Sequence, residues 1–285
     1  MAALLSFALG VSTALLGVAA KYFMDYRVAK QRLKMDERAA ITMALGNGPG
    51  LLRRGTVRLQ DRVHACFRDA EHLERWLRAS PTPREDGYFL RSFVQRMFVF
   101  FSMAGVVQSA IDALPAQTLR ARADLRQLYT LIELAKCTLT HVGLLLDYPG
   151  YVVEREAYHL FIGALDDLTD LGVAAYLSNN NTIPATVFNE HYDNQQRTLM
   201  RVRAWLSAAS MPDKRGAVIR ARLACLRAVL QAILALSQTE GKHFASDISL
   251  NKDLGDIPLP HGIDYAFAQT LPRRLDELLP DLQRP

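Results

Sequence analysis

Two pairs of residues in this chain have the spacing of a metal-ligand set. Glu156 and His159, and again Glu240 and His243, stand three residues apart, so on a helix each glutamate and its histidine would share a face. Two Glu-x-x-His pairs on different helices, completed by a glutamate from each of two others, build a two-metal carboxylate centre in helical bundles. Glu133 is the best candidate for one of those lone partners. Against this, Gly241 falls inside the second pair, where a helix would end, and Glu133 shares its face with Tyr129, Lys136 and Cys137. The chain is therefore read as holding no metal and no cofactor, with Glu156, His159, Glu240 and His243 kept as the alternative.

A second set is cationic. Arg58 and His64 lie six residues apart on a stretch that also carries Arg53, Arg54, Arg62, Arg68 and Arg75, which reads first as a solvated or membrane-facing surface. Asp166 and Asp170 share one helical face with Asp167 beside them, a solvated acidic patch or docking surface. No serine, threonine or cysteine stands beside a base in a recognisable nucleophile motif. Cys66, Cys137 and Cys225 are odd in number, far apart and set among apolar neighbours. They are expected to be three buried thiols in a reducing compartment, neither a zinc site nor a disulfide framework.

The element that would place all of these is at the N-terminus. Residues 2–20 carry no charge, and at about 1.5 Å per residue they span about 28 Å, close to the hydrocarbon thickness of a bilayer. They are read as a membrane anchor over residues 1–24. Val18-Ala19-Ala20 would suit cleavage of a signal peptide, but no basic segment precedes the apolar run. Lys21, Arg27, Lys30, Arg32 and Lys34 follow it at once and would meet lipid head groups. By the positive-inside rule the N-terminus is then outside and the bulk cytoplasmic. Ser6, Gly10 and Ala14, with Thr13 and Gly17, give the small-xxx-small spacing that lets two membrane helices approach, so self-association is expected.

Half of the 285 residues are hydrophobic, enough for one sizeable core beyond the anchor. The net charge of +5 gathers largely just after residue 20, which points to a membrane surface. No basic stripe interleaved with exposed aromatics marks a specific nucleic-acid partner. Apolar steps of three and four predict helices over Leu52–Ala79, Tyr88–Leu114, Ala116–Leu146, Val152–Leu177, from Thr182 or Pro184 to Ala209, and from Met211-Pro212-Asp213 to near Gly241. Met97–Val107 is nearly continuous in apolar residues but too short to cross a bilayer, hence a central core helix. No β-alternation, repeat or phosphate loop is evident. The fold expected is all-α: an anchor continuing into a basic stalk over 25–50, closed by the break Gly46-Asn47-Gly48-Pro49-Gly50, a cytoplasmic bundle of about six helices over 51–241, and an extended tail with a short helix over 242–285.

Several stretches together resemble a family of uncharacterised bacterial proteins with one N-terminal span and a helical cytoplasmic region. They are the anchor's end at Lys21-Tyr22-Phe23, Leu51-Leu52 with Arg58-Leu59-Gln60-Asp61-Arg62, His159-Leu160-Phe161 with Gly163, and Arg222-Leu223. The resemblance implies a bacterial inner-membrane location and carries no catalytic residue with it. Separately, Arg58-x5-His64 resembles the motif of HEPN ribonucleases, which implies an arginine holding phosphate and a histidine moving a proton at the 2′-hydroxyl across a dimer. Leu59 departs from the polar residue that motif places after its arginine. The function expected is a membrane-anchored, oligomeric interaction or effector module with an unidentified protein partner. The alternatives are a tethered ribonuclease acting through Arg58 and His64, or a pore-forming or membrane-perturbing oligomer.

Overall fold

Around Met97 the sequence is almost wholly apolar, and the helix it forms is buried over most of its surface, with Gln95, Arg96 and Val99 only half-covered. In the computed structural model this helix runs Tyr88–Asp112, and Phe93, Met97, Phe98, Phe100 and Phe101 are all fully buried. A helix apolar all round is stable only when neighbours cover it on every side. The structure describes residues 45–68, 72–141 and 159–238, with Met24, Arg27, Val28, Gln31, Met35, Ala39, Ile41 and Leu144 as isolated positions.

Nine α-helices and no strands occur among the described residues. They are α1 Gly48–Arg68, α2 Leu73–Leu77, α3 Tyr88–Asp112, α4 Ala116–Ala121, α5 Ala123–Thr140, α6 Ile162–Ser178, α7 Ala185–Asp193, α8 Arg197–Ala208 and α9 Lys214–Gln238, with a 3-10 turn at Pro83–Glu85. The core helix α3 lies between α6 and α1; α1 also packs on α9, and α9 on α5. Across this row, α8 bridges α3, α6 and α9. Among the described residues α3 alone is long and apolar enough to cross a membrane. Two-thirds of its most apolar stretch is covered by its neighbours, as in a core helix.

The all-helical expectation holds, but the expected bundle of about six helices is nine α-helices among the described residues. The expected boundaries are corrected at five places, the first being Leu52–Ala79, which is α1 to Arg68 and a separate α2 over Leu73–Leu77. Gly46-Asn47 turns the chain, with Gly46 at φ +48°, but Gly48, Pro49 and Gly50 already belong to α1. Proline in a first helical turn forfeits no hydrogen bond there, so the expected five-residue break shrinks to two residues. The segment expected as one helix over 116–146 bends at Arg122, whose guanidinium pairs with Asp124 at 2.6 and 2.8 Å. Residues two apart do not face each other on a continuous helix, and the bend permits the pair. His159–Phe161 lies outside any helix, Leu160 N–H bonding Leu139 O, so α6 begins at Ile162 and not near Val152. Residues 184–209 divide at Asn194–Gln196, where Gln195 takes φ +56° and the Gln196 side-chain oxygen accepts from Thr198 and Leu199 N–H. Glutamine is an uncommon helix cap, which hid this break.

The crossing of α3 and α6 depends on absent side chains. A Cβ placed at Gly172 would stand 1.5 Å from Ser102 Oγ, and one at Gly105 would stand 2.4 Å from a Thr169 methyl. Gly172→Ala is expected to force the two helices apart and lower stability by about 1–3 kcal/mol. Gly50→Ala, with nothing within 4 Å of the added carbon, is the control and should be neutral or slightly stabilising in the same denaturation experiment. Equal midpoints for the two variants would rule out the close crossing.

Candidate functional site

Two faces of the bundle diverge to leave a cleft. From α1 come Leu51, Arg54, Gly55 and Arg58, and from α3 come Tyr88, Ser92, Gln95, Arg96, Val99 and Met103. The far wall is Thr182, Ile183 and Ala185, ahead of and at the start of α7. Its volume is about 510 Å³. At Gly55 the α1 backbone lies beside α3, where an added Cβ would meet the Phe100 Cα in ordinary van der Waals contact at 3.5 Å. The cleft opens beside the packing of α1 on α3.

Arg54, Arg58 and Arg62 recur every four residues and fall on one stripe of α1. The Arg62 guanidinium lies 5.0 Å from the centre of the Tyr88 ring and 4.7 Å from that of Phe89. That is cation–π distance, and it braces the Tyr88 ring at the cleft mouth. Arg96 Nη1 donates to Arg58 O at 2.6 Å, tying α3 to α1. Burial, and then the charges of Arg62 and Arg58, depress the Arg96 pKa from its ordinary value. Among the described residues no carboxylate lines the cleft, and no ion pair is made by Arg54 or Arg58.

No known protein family, curated protein or solved structure matches this chain. The residues singled out above are therefore placed by the geometry alone.

Arg58 borders the cleft, whereas His64 is exposed farther along α1 and is not part of the lining. Glu133 accepts from Gln108 Nε2 and pairs with Lys136 at 3.0 Å, which gives it ordinary partners on α3 and α5. His159 is buried, with its ring 5.3 Å from that of Phe161. Glu156, Glu240 and His243 lie outside the described residues, and among the described ones no three His, Cys, Asp or Glu side chains stand together. Asp166, Asp167 and Asp170 are exposed on α6. Partial burial raises the Asp166 pKa; Lys136 opposes that, and Asp170 and Glu133 add to it. Of the anchor and head-group residues, Arg27 is exposed, while Ser6, Gly10, Thr13, Ala14, Gly17, Lys21, Lys30, Arg32 and Lys34 lie outside the described residues. Cys66 and Cys225 are buried as expected and their thiols are pushed up to about 12 by that burial. Cys137 is only half-buried and rises to about 11 for the same reason, with Glu133 adding to it.

Sequence reasoning missed the rest of the cleft. The four-residue arginine stripe was a usable signal, because like charges at that spacing weaken a bare helix. Arg96 and Tyr88 carried no such signal, since only the packing of α3 on α1 brings them beside it.

Proposed function

We propose that this protein is a membrane-anchored helical module whose bulk lies in the cytoplasm, which self-associates, and which uses the cleft between α1 and α3 as its binding surface. The observation that carries this is the open cleft itself: Arg54, Arg58 and Arg96 line a concavity with no carboxylate in its lining, and among the described residues Arg54 and Arg58 make no ion pair. The uncharged run over 2–20 followed by Lys21 supports the anchor. The Ser6, Gly10, Thr13, Ala14 and Gly17 face supports self-association through it.

The full-length protein should sediment with membranes, and a reporter active only in the periplasm should stay silent when fused at residue 285. Gly10→Leu should disperse the oligomer in detergent, because a branched side chain on the packing face holds two helices apart. A product left in the supernatant, or an active reporter, would remove the anchored reading.

A ribonuclease reading has one observation in its favour, that Arg58 borders a cationic cleft. It needs His64 to reach a phosphate held beside Arg58, and the two diverge on α1 unless a second protomer supplies the histidine. His64→Ala should leave any RNA degradation or cell toxicity unchanged if the protein is a binding module. Loss of RNA cleavage in that variant would instead favour the nuclease.

A further inference from the structure

We infer that the cleft binds a phosphate ester, its phosphate oxygens held by Arg54, Arg58 and Arg96 and its organic part laid against Tyr88 and the apolar floor. This deepens the proposed function, since it takes the cleft to be the module's binding surface.

Charge is the first support. Elsewhere in the bundle some arginines pair with carboxylates, as Arg78 does with Glu74, Arg91 with Asp193 and Arg203 with Asp86. Around the cleft, Arg54, Arg58 and Arg96 line one space of about 510 Å³, and no carboxylate is among its lining residues. A phosphate group presents several oxygens to such a set, and the planar guanidinium fork matches two of them at once. A single carboxylate would leave most of those donors unused. The α7 N-terminus at Ala185 adds partial positive charge to the same wall.

Shape is the second. The volume lies in the range of small-molecule sites. Tyr88 is 76% exposed although its ring is braced from behind by Arg62, so a flat surface is presented at the mouth and held in place. Leu51, Val99 and Ile183 supply apolar contact below it. An inorganic anion would use the arginines and leave Tyr88 and this floor uncovered; an ester uses both.

Phosphate esters reach such a site either as soluble nucleotides or as anionic lipid head groups. The test uses the full-length chain in phosphatidylcholine nanodiscs, titrated with ATP by calorimetry, and in a second arm nanodiscs in which phosphatidylglycerol replaces part of the neutral lipid. Arg54→Gln with Arg58→Gln alters two exposed side chains on α1, and helical circular dichroism confirms that the fold is kept. Saturable ATP binding, weakened about tenfold or more by the double variant and severalfold by Tyr88→Leu, supports the inference and assigns a soluble source. Phosphatidylglycerol binding weakened by the same variants supports it and assigns the lipid. Binding of neither probe, or binding unmoved by the double variant, overturns it. Sedimentation with membranes is unaffected by any of these outcomes, so failure of the ligand is distinguishable from failure of the anchored module.

Discussion

Asp86→Ala is expected to lower the stability of the bundle by about 3–5 kcal/mol at neutral pH, a large share of what a domain of this size possesses. The Asp86 side chain is wholly buried. Its two oxygens accept from Arg203 at 2.5 and 2.7 Å, from the Tyr192 hydroxyl at 2.6 Å and from Ser80 N–H at 2.8 Å. One carboxylate thus joins the loop before α3 to α7 and α8. Removing it leaves the largely buried Arg203 guanidinium without its counter-charge, together with two stranded donors.

The same carboxylate makes a pH-dependent contribution whose sign is fixed by its partners. Burial alone would raise the Asp86 pKa, but the hydrogen bonds from Arg203, Tyr192 and Ser80 and the Arg203 charge outweigh it and hold the group below the ordinary carboxylate range. The Tyr192 pKa moves up, through burial and through its bond to Asp86. A folded-state pKa below the unfolded value means stabilisation that is complete above about pH 4 and is lost as pH falls through the folded value. Denaturant midpoints of the wild type and Asp86→Ala should therefore differ widely at pH 7 and draw together in acid. A constant gap across that range would show that the pairing is not what the substitution removes.

Arg222→Met is the second large effect, about 2–5 kcal/mol of destabilisation. Arg222 is completely buried in the middle of α9. Its Nη1 donates to Thr138 O at 3.0 Å and its Nη2 to His141 O at 3.1 Å, so one guanidinium satisfies carbonyls at the end of α5, where the helix can no longer do so itself. The charge also opposes the negative end of the α5 dipole. Methionine fills much of the volume but strands both carbonyls. Arg222→Lys keeps the charge yet gives up the fork, so its midpoint should fall between those of the wild type and Arg222→Met. A methionine variant as stable as the wild type would show that the two carbonyls find other donors. Arg220, two residues earlier, serves the end of α8 in the same manner through Ala209 O and Met211 O.

These arginines mark where the sequence misleads. In α9 the expected apolar side of Val218, Ala221, Cys225, Ala228, Val229, Ala232, Ile233 and Leu236 is buried as far as Ile233, as three- and four-residue periodicity requires, while Leu236 is only half-buried. Arg220 and Arg222 interrupt that pattern and would be assigned to solvent on polarity, yet both are buried. Burial of an arginine depends on carbonyls it can reach, and those belong to helices distant in the chain. Asp86 has the same history. In sequence it is half of an Asp-Gly turn, and its ion pair reaches 117 residues along the chain.

Sequence alone determined the helical character, the central place of α3 and the inward faces of α1 and α9, because apolar periodicity is a local property and burial follows it. Tertiary structure alone decided that Arg58 would stand with Arg96 and Tyr88 and apart from the cleft's outside neighbour His64, that α3 and α6 would cross at Gly172, and that Asp86 and Arg222 would be interior. The physical reason is that a charge or a glycine takes its meaning from what the fold sets opposite it, and no spacing within one helix records that.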